Sequence, residues 1–386
     1  MHQGKFVFSQ LMNMVPKYEF NTYVTHFGGD KGIRNFNCWQ QFLCLAFGQL
    51  SNRDSLRDIV ICLNAQHDKL YHLGFKSVLS RSTFSDANNN RDWRIYAHFA
   101  HFLMNKVHKL YSNHQEQYHQ FDFTVFALDS SLIRLCLSVF FWAKYRSSKA
   151  AVKVHTLLDV QTAIPYYFHI TDGIVNDMSI LKQITFIPGA YYILDRGYND
   201  FSELYRIHTS RAFFVIRAKD PLKFNRQYSN VKKEDIIYDQ IGTFITFYSR
   251  KDYPEKIRCI KSRDPKTNSK IVLLTNNFEL SAVDIAELYR NRWQIELFFK
   301  WIKQHLKIKA FWGISENAVK TQIYSALATY LMIAILKYNL KLQQNLYEIL
   351  QILSVSLLNK VPINELFIKD ILQNEPSDDP NQLTLW

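Results

Sequence analysis

The sequence predicts an α/β protein, with a mixed sheet preceded and followed in the chain by helical segments. Three observations carry this prediction. Residues 1 to about 112 show helix-like apolar spacing, as in Phe6 to Val15 and Trp39 to Leu50. From about Gln120 the pattern changes to successive short, β-rich apolar runs. Past Lys303 helical periodicity returns, over Ile314 to Leu340 and again over Leu346 to Leu358. With 386 residues and 47% apolar content, the chain is long enough for two or three domains with real cores.

In the N-terminal part, HFGGDKGIRNFN is a turn-prone stretch containing Gly28, Gly29 and Gly32. Ser51 or Asn52 can cap the helix that follows, with Asp54 and Asp58 facing nearby cations. The next unit turns at Gly74 and restarts near Ser80 or Ser82, placing Arg81 in a first helical turn. Short helices joined by tight turns suit a helix that reads a DNA groove, and equally a helical packing or dimerisation domain. His98, His101, His108, His114 and His119 cluster here and just beyond. No carboxylate or cysteine joins them at ligand spacing, so contact with solvent or phosphate is expected rather than a metal.

The strand region opens with FDFTVFALDSS, which delivers Asp129 at its end, followed by LIRLCLSVFFW. After the basic loop AKYRSSK come AVKVHTLLDV and IPYYFHITDG, so three or four successive strands form a meander. A short helix over Asn176 to Ile184 precedes AYYILDRGY, a strand that delivers Asp195 at its C-terminal end. A helix (Asp200 to His208) and the strand AFFVIRAK follow. This succession describes an RNase H-like sheet in which the first and fourth strands lie side by side at the centre. Taken singly, either aspartate reads equally as a turn former at a strand end, continued by Ser130 and Ser131 or by Gly197.

Composition bounds the function. Forty-seven Lys and Arg against thirty-four Asp and Glu leave a formal charge of +13, which favours an anionic partner such as nucleic acid or an anionic membrane surface. Aromatic residues at 15% suit base stacking, although most must be core. Five cysteines without a CxxC pair argue against disulfides and zinc ribbons, and the N-terminus lacks the pattern of a secretory signal. A cytoplasmic, nucleoid-associated protein is expected. The apolar run Ile323 to Leu340 carries Ser325, Thr329, Tyr330, Lys337 and Asn339, so a buried core helix is expected there rather than a membrane span.

The stretch YRNRWQIELFFKWIK, Tyr289 to Lys303, is the most informative. On one continuous helix Tyr289, Arg292, Glu296 and Lys303 would share a stripe about 60° wide, with Ile295, Phe298, Phe299, Ile302 and Leu306 forming an apolar flank. A carboxylate among cations on a half-buried helix points to metal and phosphate chemistry. The same residues also read as ordinary (i, i+4) pairs on a solvated face. Three acidic groups in the order Asp129, Asp195, Glu296 on strand, strand and helix form a set of oxygen ligands such as two divalent ions require.

On these residues the chain resembles the DDE transposases of bacterial insertion sequences, in particular the type-four family. That family's signature is Tyr, two residues, Arg, three residues, Glu, six residues, Lys. Tyr289, Arg292, Glu296 and Lys303 match it without a gap. The likeness includes Asp129 in LDSS and Asp195 in LDRGY and extends to Trp312, while GKFVFSQLMNMVP and LSNRDSLRDI look like the N-terminal domain of one branch.

The resemblance implies an RNase H-like catalytic core interrupted by a β-rich insertion. It divides the chain into a helical DNA-binding domain (1–115), the first part of the core (118–220), the insertion (221–278), the second part of the core with the C-terminal helices (279–375) and a disordered tail (376–386). The C-terminal helices are expected to pack behind the catalytic sheet. Asp129, Asp195 and Glu296 are implied as catalytic ligands of two Mg²⁺, with Mn²⁺ as a substitute. Tyr289, Arg292 and Lys303 are implied to bind DNA, with Arg196, Arg217, Lys219 and Arg81 as further contacts or as solvated element ends. The implied partners are double-stranded DNA, both terminal inverted repeats and target, and a second copy in the DNA complex, with no membrane. Cleavage is implied to be followed by 3′-OH joining through a hairpin.

Two features depart from the family pattern. Asn199 stands where some relatives carry a second acid, with Asp200 one position later. The insertion holds no tryptophan, leaving Phe244, Phe247 and Tyr248 as substitutes for an aromatic ring beside a flipped base, or more simply as core. Two other classes stay open at this point: an RNase H-like nuclease that does not join strands, and an inactive transposase-derived DNA-binding protein.

Overall fold

Helices α1 (Val7–Asn13), α2 (Lys17–His26), α3 (Cys38–Leu50), α4 (Leu56–Asn64), α5 (Arg81–Asn90) and α6 (Arg94–Ser112) occupy the N-terminal stretch. The computed structural model describes residues 4–112, 121–146, 149–230, 235–263, 268–306, 308 and 311–367; His114, His119 and the tail 376–386 lie outside them. Helix α3 is buried along its whole length, Gln40, Gln41 and Gln49 included, with Asn37 capping it by accepting from the Gln40 N–H. The α4 cap is Ser55, which accepts from the Asp58 N–H, and not Ser51 or Asn52. Ser51 instead closes α3, its hydroxyl donating back to the Phe47 carbonyl at 2.6 Å, and Asn52 takes a left-handed turn at φ 56°. Phe20 is the centre of an aromatic core, 5.1 to 5.9 Å from the rings of Trp39, Phe42, Tyr96 and Phe99.

The sheet follows. Its strands are β1 (Val125–Leu135), β2 (Lys144–Arg146), β3 (Lys149–Asp159), β4 (Ile164–Asp172), β5 (Tyr191–Leu194), β6 (Phe213–Arg217), β7 (Phe224–Ser229), β8 (Ile236–Phe244), β9 (Ile257–Arg263) and β10 (Lys270–Thr275). Short helix α7 (Met178–Leu181) precedes β5, α8 (Phe201–Thr209) joins β5 to β6, and α9 (Phe247–Asp252) joins β8 to β9. The order is β2-β3-β1-β5-β6-β10-β9-β8-β7, with β4 also on β3. Strand β1 is antiparallel to β3 and parallel to β5, and β5 is parallel to β6, as a helical crossover such as α8 permits. The expected neighbourhood of the first strand and the AYYIL strand is therefore present.

Two expectations change here. Asp129 does not end its strand: β1 continues through it, pairing with β3 from Phe126 to Leu135, so FDFTVFALDSS and LIRL form one strand. The turn chemistry of Ser130 and Ser131 is overridden by a long antiparallel partner. The strands of the expected insertion also extend the main sheet, through antiparallel pairing of β10 with β6. A buried ion pair locks this extension: Arg258 Nε and Nη2 donate to the two Asp239 carboxylate oxygens, each at 2.8 Å, and Asn230 adds a bond at 3.0 Å. The core beside β5 and β6 gathers Leu194, Leu204, Ile207, Phe214, Ile216 and Tyr253.

The chain then forms α10 (Ala282–Arg290), α11 (Trp293–His305), α12 (Glu316–Asn339) and α13 (Leu346–Ser356). Helix α12 is long and apolar enough to span a membrane, but 94% of its most apolar window is buried inside the protein, as expected for a core helix. It packs on α3, α5 and α13. Asn317 at its start donates to the Asn88 carbonyl at 2.9 Å, and Gln41, Asn88 and Arg91 are linked by buried hydrogen bonds. Among the described residues, those up to 103 and those from 302 onward form one compact unit, and those within 104–301 form another.

Candidate active site

Parallel register builds one row of side chains. Leu128 in β1 pairs with Leu194 in β5, and Leu194 with Ile216 in β6. One residue further along each strand stand Asp129, Asp195 and Arg217. Ligand sites in α/β sheets favour this location, the carboxyl ends of parallel strands. Asp129 lies within its strand, Asp195 directly follows β5 and leads a short 3₁₀ turn (Arg196–Tyr198), and Arg217 is exposed.

Glu296 comes to this row from α11. The stretch from Tyr289 to Lys303 is not one helix: α10 ends at Arg290, and α11 starts at Trp293. Between them the N–H groups of Arg292, Gln294 and Ile295 donate to carbonyls three residues back, at 3.1, 3.0 and 3.2 Å. Tyr289 therefore closes one helix, Arg292 lies in the turn and Glu296 falls in the first turn of the next, so the single stripe expected from a continuous helix is not formed. The apolar flank is present, with Ile295, Phe298, Phe299, Ile302 and Leu306 buried.

The break lets Arg292 act across the chain. Its Nη1 donates to Asp129 Oδ2 at 3.2 Å, while Nη2 donates to Glu296 Oε1. One guanidinium thus bridges carboxylates that are 167 residues apart in sequence, a geometry suited to its planar fork. Asp129 also accepts from the Ser130 N–H at 2.8 Å. Burial pushes the Asp129 carboxyl up to about 6, against the lowering influence of Ser130 and Arg292, and the charges of Asp195 and Glu296 push in the same direction as burial. Burial likewise pushes the Tyr289 hydroxyl up to about 12, with Arg292, Asp195 and Arg217 all acting on it. Three carboxylates, a tyrosine and two arginines therefore share one electrostatic neighbourhood.

The donor chemistry of this set fits divalent cations. Three carboxylates supply the hard oxygen ligands that Mg²⁺ prefers, and like charges crowded around a buried carboxylate are relieved by a cation. Thr156 stands opposite Asp129 in register, and its buried hydroxyl has no hydrogen-bond partner among the described residues. With Arg292 between Asp129 and Glu296, no group of three His, Cys, Asp or Glu side chains is drawn together around an ion position among the described residues.

Of the remaining predicted contacts, Arg196, Arg217 and Lys219 line one depression together with Gly197, Ala218 and Asp220. Lys303 lies in the last turn of α11, and Arg81 is exposed at the start of α5. Asn199, at the departure from the family pattern, donates to the Arg217 and Arg196 carbonyls at 2.7 and 3.2 Å. Asp200 caps α8 instead of joining the site. Neither is therefore an extra acid in the row. Phe244 is buried as expected, but Phe247 and Tyr248 are 75% and 77% exposed and are not core.

Sequence reading missed a polar cluster beside β1. Lys153 Nζ lies 3.1 Å from Asp177 Oδ1 and donates to the Val175 carbonyl at 2.6 Å. His155 pairs with Ser130 in register, its Nε2 is 2.9 Å from Thr171 Oγ1, and burial pushes its pKa down to about 4. The one local signal was a lysine and a histidine alternating with apolar residues in AVKVHTLLDV, which a solvent-facing strand edge would also give.

Residues 120–332 match the family model described as the transposase DDE domain. The chain belongs to this transposase family. Residues 3–76 also match a domain of unknown function (DUF4372). This transposase-family chain is 38% identical over 201 residues to the putative transposase y4zB of Sinorhizobium fredii, covering 50% of this chain and 56% of that protein. It is 29% identical over 227 residues to a probable transposase for insertion sequence element IS5377 of Geobacillus stearothermophilus, covering 56% and 58%. A putative transposase for element IS4SA of Synechocystis is 27% identical over 267 residues, covering 66% and 71%. The match thus spans somewhat over half the length of the first two relatives. Among solved structures, a piggyBac transposase synaptic complex with hairpin DNA aligns with a TM-score of 0.45 at 10% identity, over 96% of this chain and 80% of that one.

Proposed function

We propose that this chain is a DNA transposase of the type-four insertion-sequence family, which cuts at the ends of its element and joins the freed 3′-OH to target DNA. The observation that carries the reading is the Arg292 bridge between Asp129 and Glu296, with Asp195 at the adjacent register position. The neighbouring order of β4, β3, β1, β5 and β6 supports an RNase H-like core over 118–220, continued after the insertion 221–278 by the helices that carry Tyr289 and Glu296.

Asp129, Asp195 and Glu296 would hold two Mg²⁺ or Mn²⁺, which when bound supply activation of the attacking oxygen and stabilisation of the leaving oxygen at phosphorus. The chain's own groups do the positioning. The Arg292 guanidinium can exchange a carboxylate for a phosphate oxygen, both being planar-fork partners. Tyr289, protonated at neutral pH, offers a hydroxyl donor beside it. Arg196, Arg217, Lys219 and Lys303 add cations for the DNA backbone, and Arg81 does so from the helical domain. Two copies acting on paired ends, a hairpin intermediate and a cytoplasmic, nucleoid-associated setting complete the reading.

The test uses linear DNA carrying the element's terminal repeats with Mg²⁺. Nicking followed by strand joining is expected. Nicking without joining would identify a nuclease instead, and end binding without nicking would identify a DNA-binding protein.

A further inference from the structure

Two depressions on the sheet unit share Lys219. The first holds Arg196, Arg217 and Lys219 with one acid, Asp220, and begins at the residue that follows Asp195. The second continues from Lys219 through Lys223 to Thr246 and Ser249, with Asn199 and Phe201 on its wall. Arg196, Arg217, Lys219 and Lys223 are all exposed, and none makes a side-chain ion pair among the described residues. Four cations against one acid along a groove favour an anionic chain over an apolar one. At the far end the Ile245 N–H donates to the Lys223 carbonyl at 3.2 Å, which sets the Ile245 backbone beside that of the last cation, and Phe247 and Tyr248 follow in the chain between the groove residues Thr246 and Ser249. These three side chains are 60%, 75% and 77% exposed, and the Phe247 and Tyr248 rings stand edge to face at 5.6 Å. Arg250 and Lys251 follow on the same short helix, against a single acid, Asp252.

A row of cations ending on exposed rings has the chemistry of a single-strand binder, since stacking needs unpaired bases. A duplex would use the cations and leave the rings in water. We propose that the groove from Arg196 through Lys219 and Lys223 to Phe247 and Tyr248 is a track for single-stranded DNA, leading the strand released at the candidate active site onto an aromatic platform. This rests on the transposase reading for the origin of the strand, but its binding test does not require cleavage.

The experiment measures fluorescence anisotropy of a labelled oligo-dT and of a blunt duplex of equal length, with full-length protein in EDTA. Phe247→Ala/Tyr248→Ala is expected to weaken oligo-dT binding at least tenfold and to leave duplex binding within about twofold. Lys219→Ala/Lys223→Ala is expected to weaken both and to flatten the salt dependence of oligo-dT binding. Unchanged oligo-dT affinity in the aromatic double variant would overturn the proposal. So would equal losses on both DNAs, or a switch from dimer to monomer at unchanged DNA affinity, which would identify a surface between copies. Loss of nicking in active-site variants is read separately, so failure of the track and failure of the transposase reading are distinguishable.

Discussion

Arg292 is the residue on which the site's charge balance turns. It sits between two carboxylates in a region where burial and like charges already push Asp129 up to about 6. Removing it leaves those charges facing one another without a fixed partner. Arg292→Ala is expected to lower the nicking rate by ~10²-fold or more, in the range found when a preorganised charged donor is lost. Arg292→Lys should recover less than a tenth of the lost rate, because an ammonium cannot present a planar fork. Rates on pre-bound end DNA check both, and full activity in the lysine variant would mean that charge alone suffices. The identity and spacing of these residues were legible in the sequence. The bridge was not: the Tyr289–Lys303 stretch contains no glycine or proline to mark the break at Asn291 and Arg292, and a contact from Arg292 to Asp129 leaves no trace in local periodicity.

At the scale of elements, the outer sheet depends on the Asp239–Arg258 pair, whose side chains are each 4% exposed. Burial alone would raise the Asp239 pKa, but hydrogen bonds from Arg258 and Asn230 outweigh it and hold the carboxyl below its usual value. Asp239→Ala leaves a buried guanidinium unpaired and should cost ~3–5 kcal/mol of stability at neutral pH. A depressed folded-state pKa means the stabilisation is present above the ordinary aspartate value and is lost as pH falls through the depressed one. Urea denaturation should therefore show a gap between wild type and variant at pH 7 that narrows below about pH 4. An equal gap at both would contradict the account. This strand region was legible as β-rich from its alternation, yet its continuity with the main sheet was not, since pairing of β10 with β6 joins residues some 60 apart. Similarly, LDSS read as a turn because its serines favour one, and only the antiparallel partner β3 carries β1 through it.

At the scale of the whole molecule, the ends of the chain build one unit. Helix α12 is buried on all faces and packs on α3 and α5. A fragment ending at 103 would lack this core element, so it is expected to show helical far-UV but weak near-UV circular dichroism. A native near-UV signal from that fragment would mean the N-terminal helices form their own core. The burial of α12 was legible from an apolar run that carries a few polar residues, but its partners were not, because a helix apolar on nearly every side carries no face that selects a neighbour. The account as a whole rests on three carboxylates from distant elements acting as one centre. The most direct measurement is the Mg²⁺-dependent nicking rate on linear end DNA for Asp129→Asn, Asp195→Asn and Glu296→Gln, each with its end affinity measured in parallel. The account predicts that each variant binds ends within about threefold of wild type and nicks at least ~10³-fold more slowly; wild-type nicking by any one of the three would contradict it.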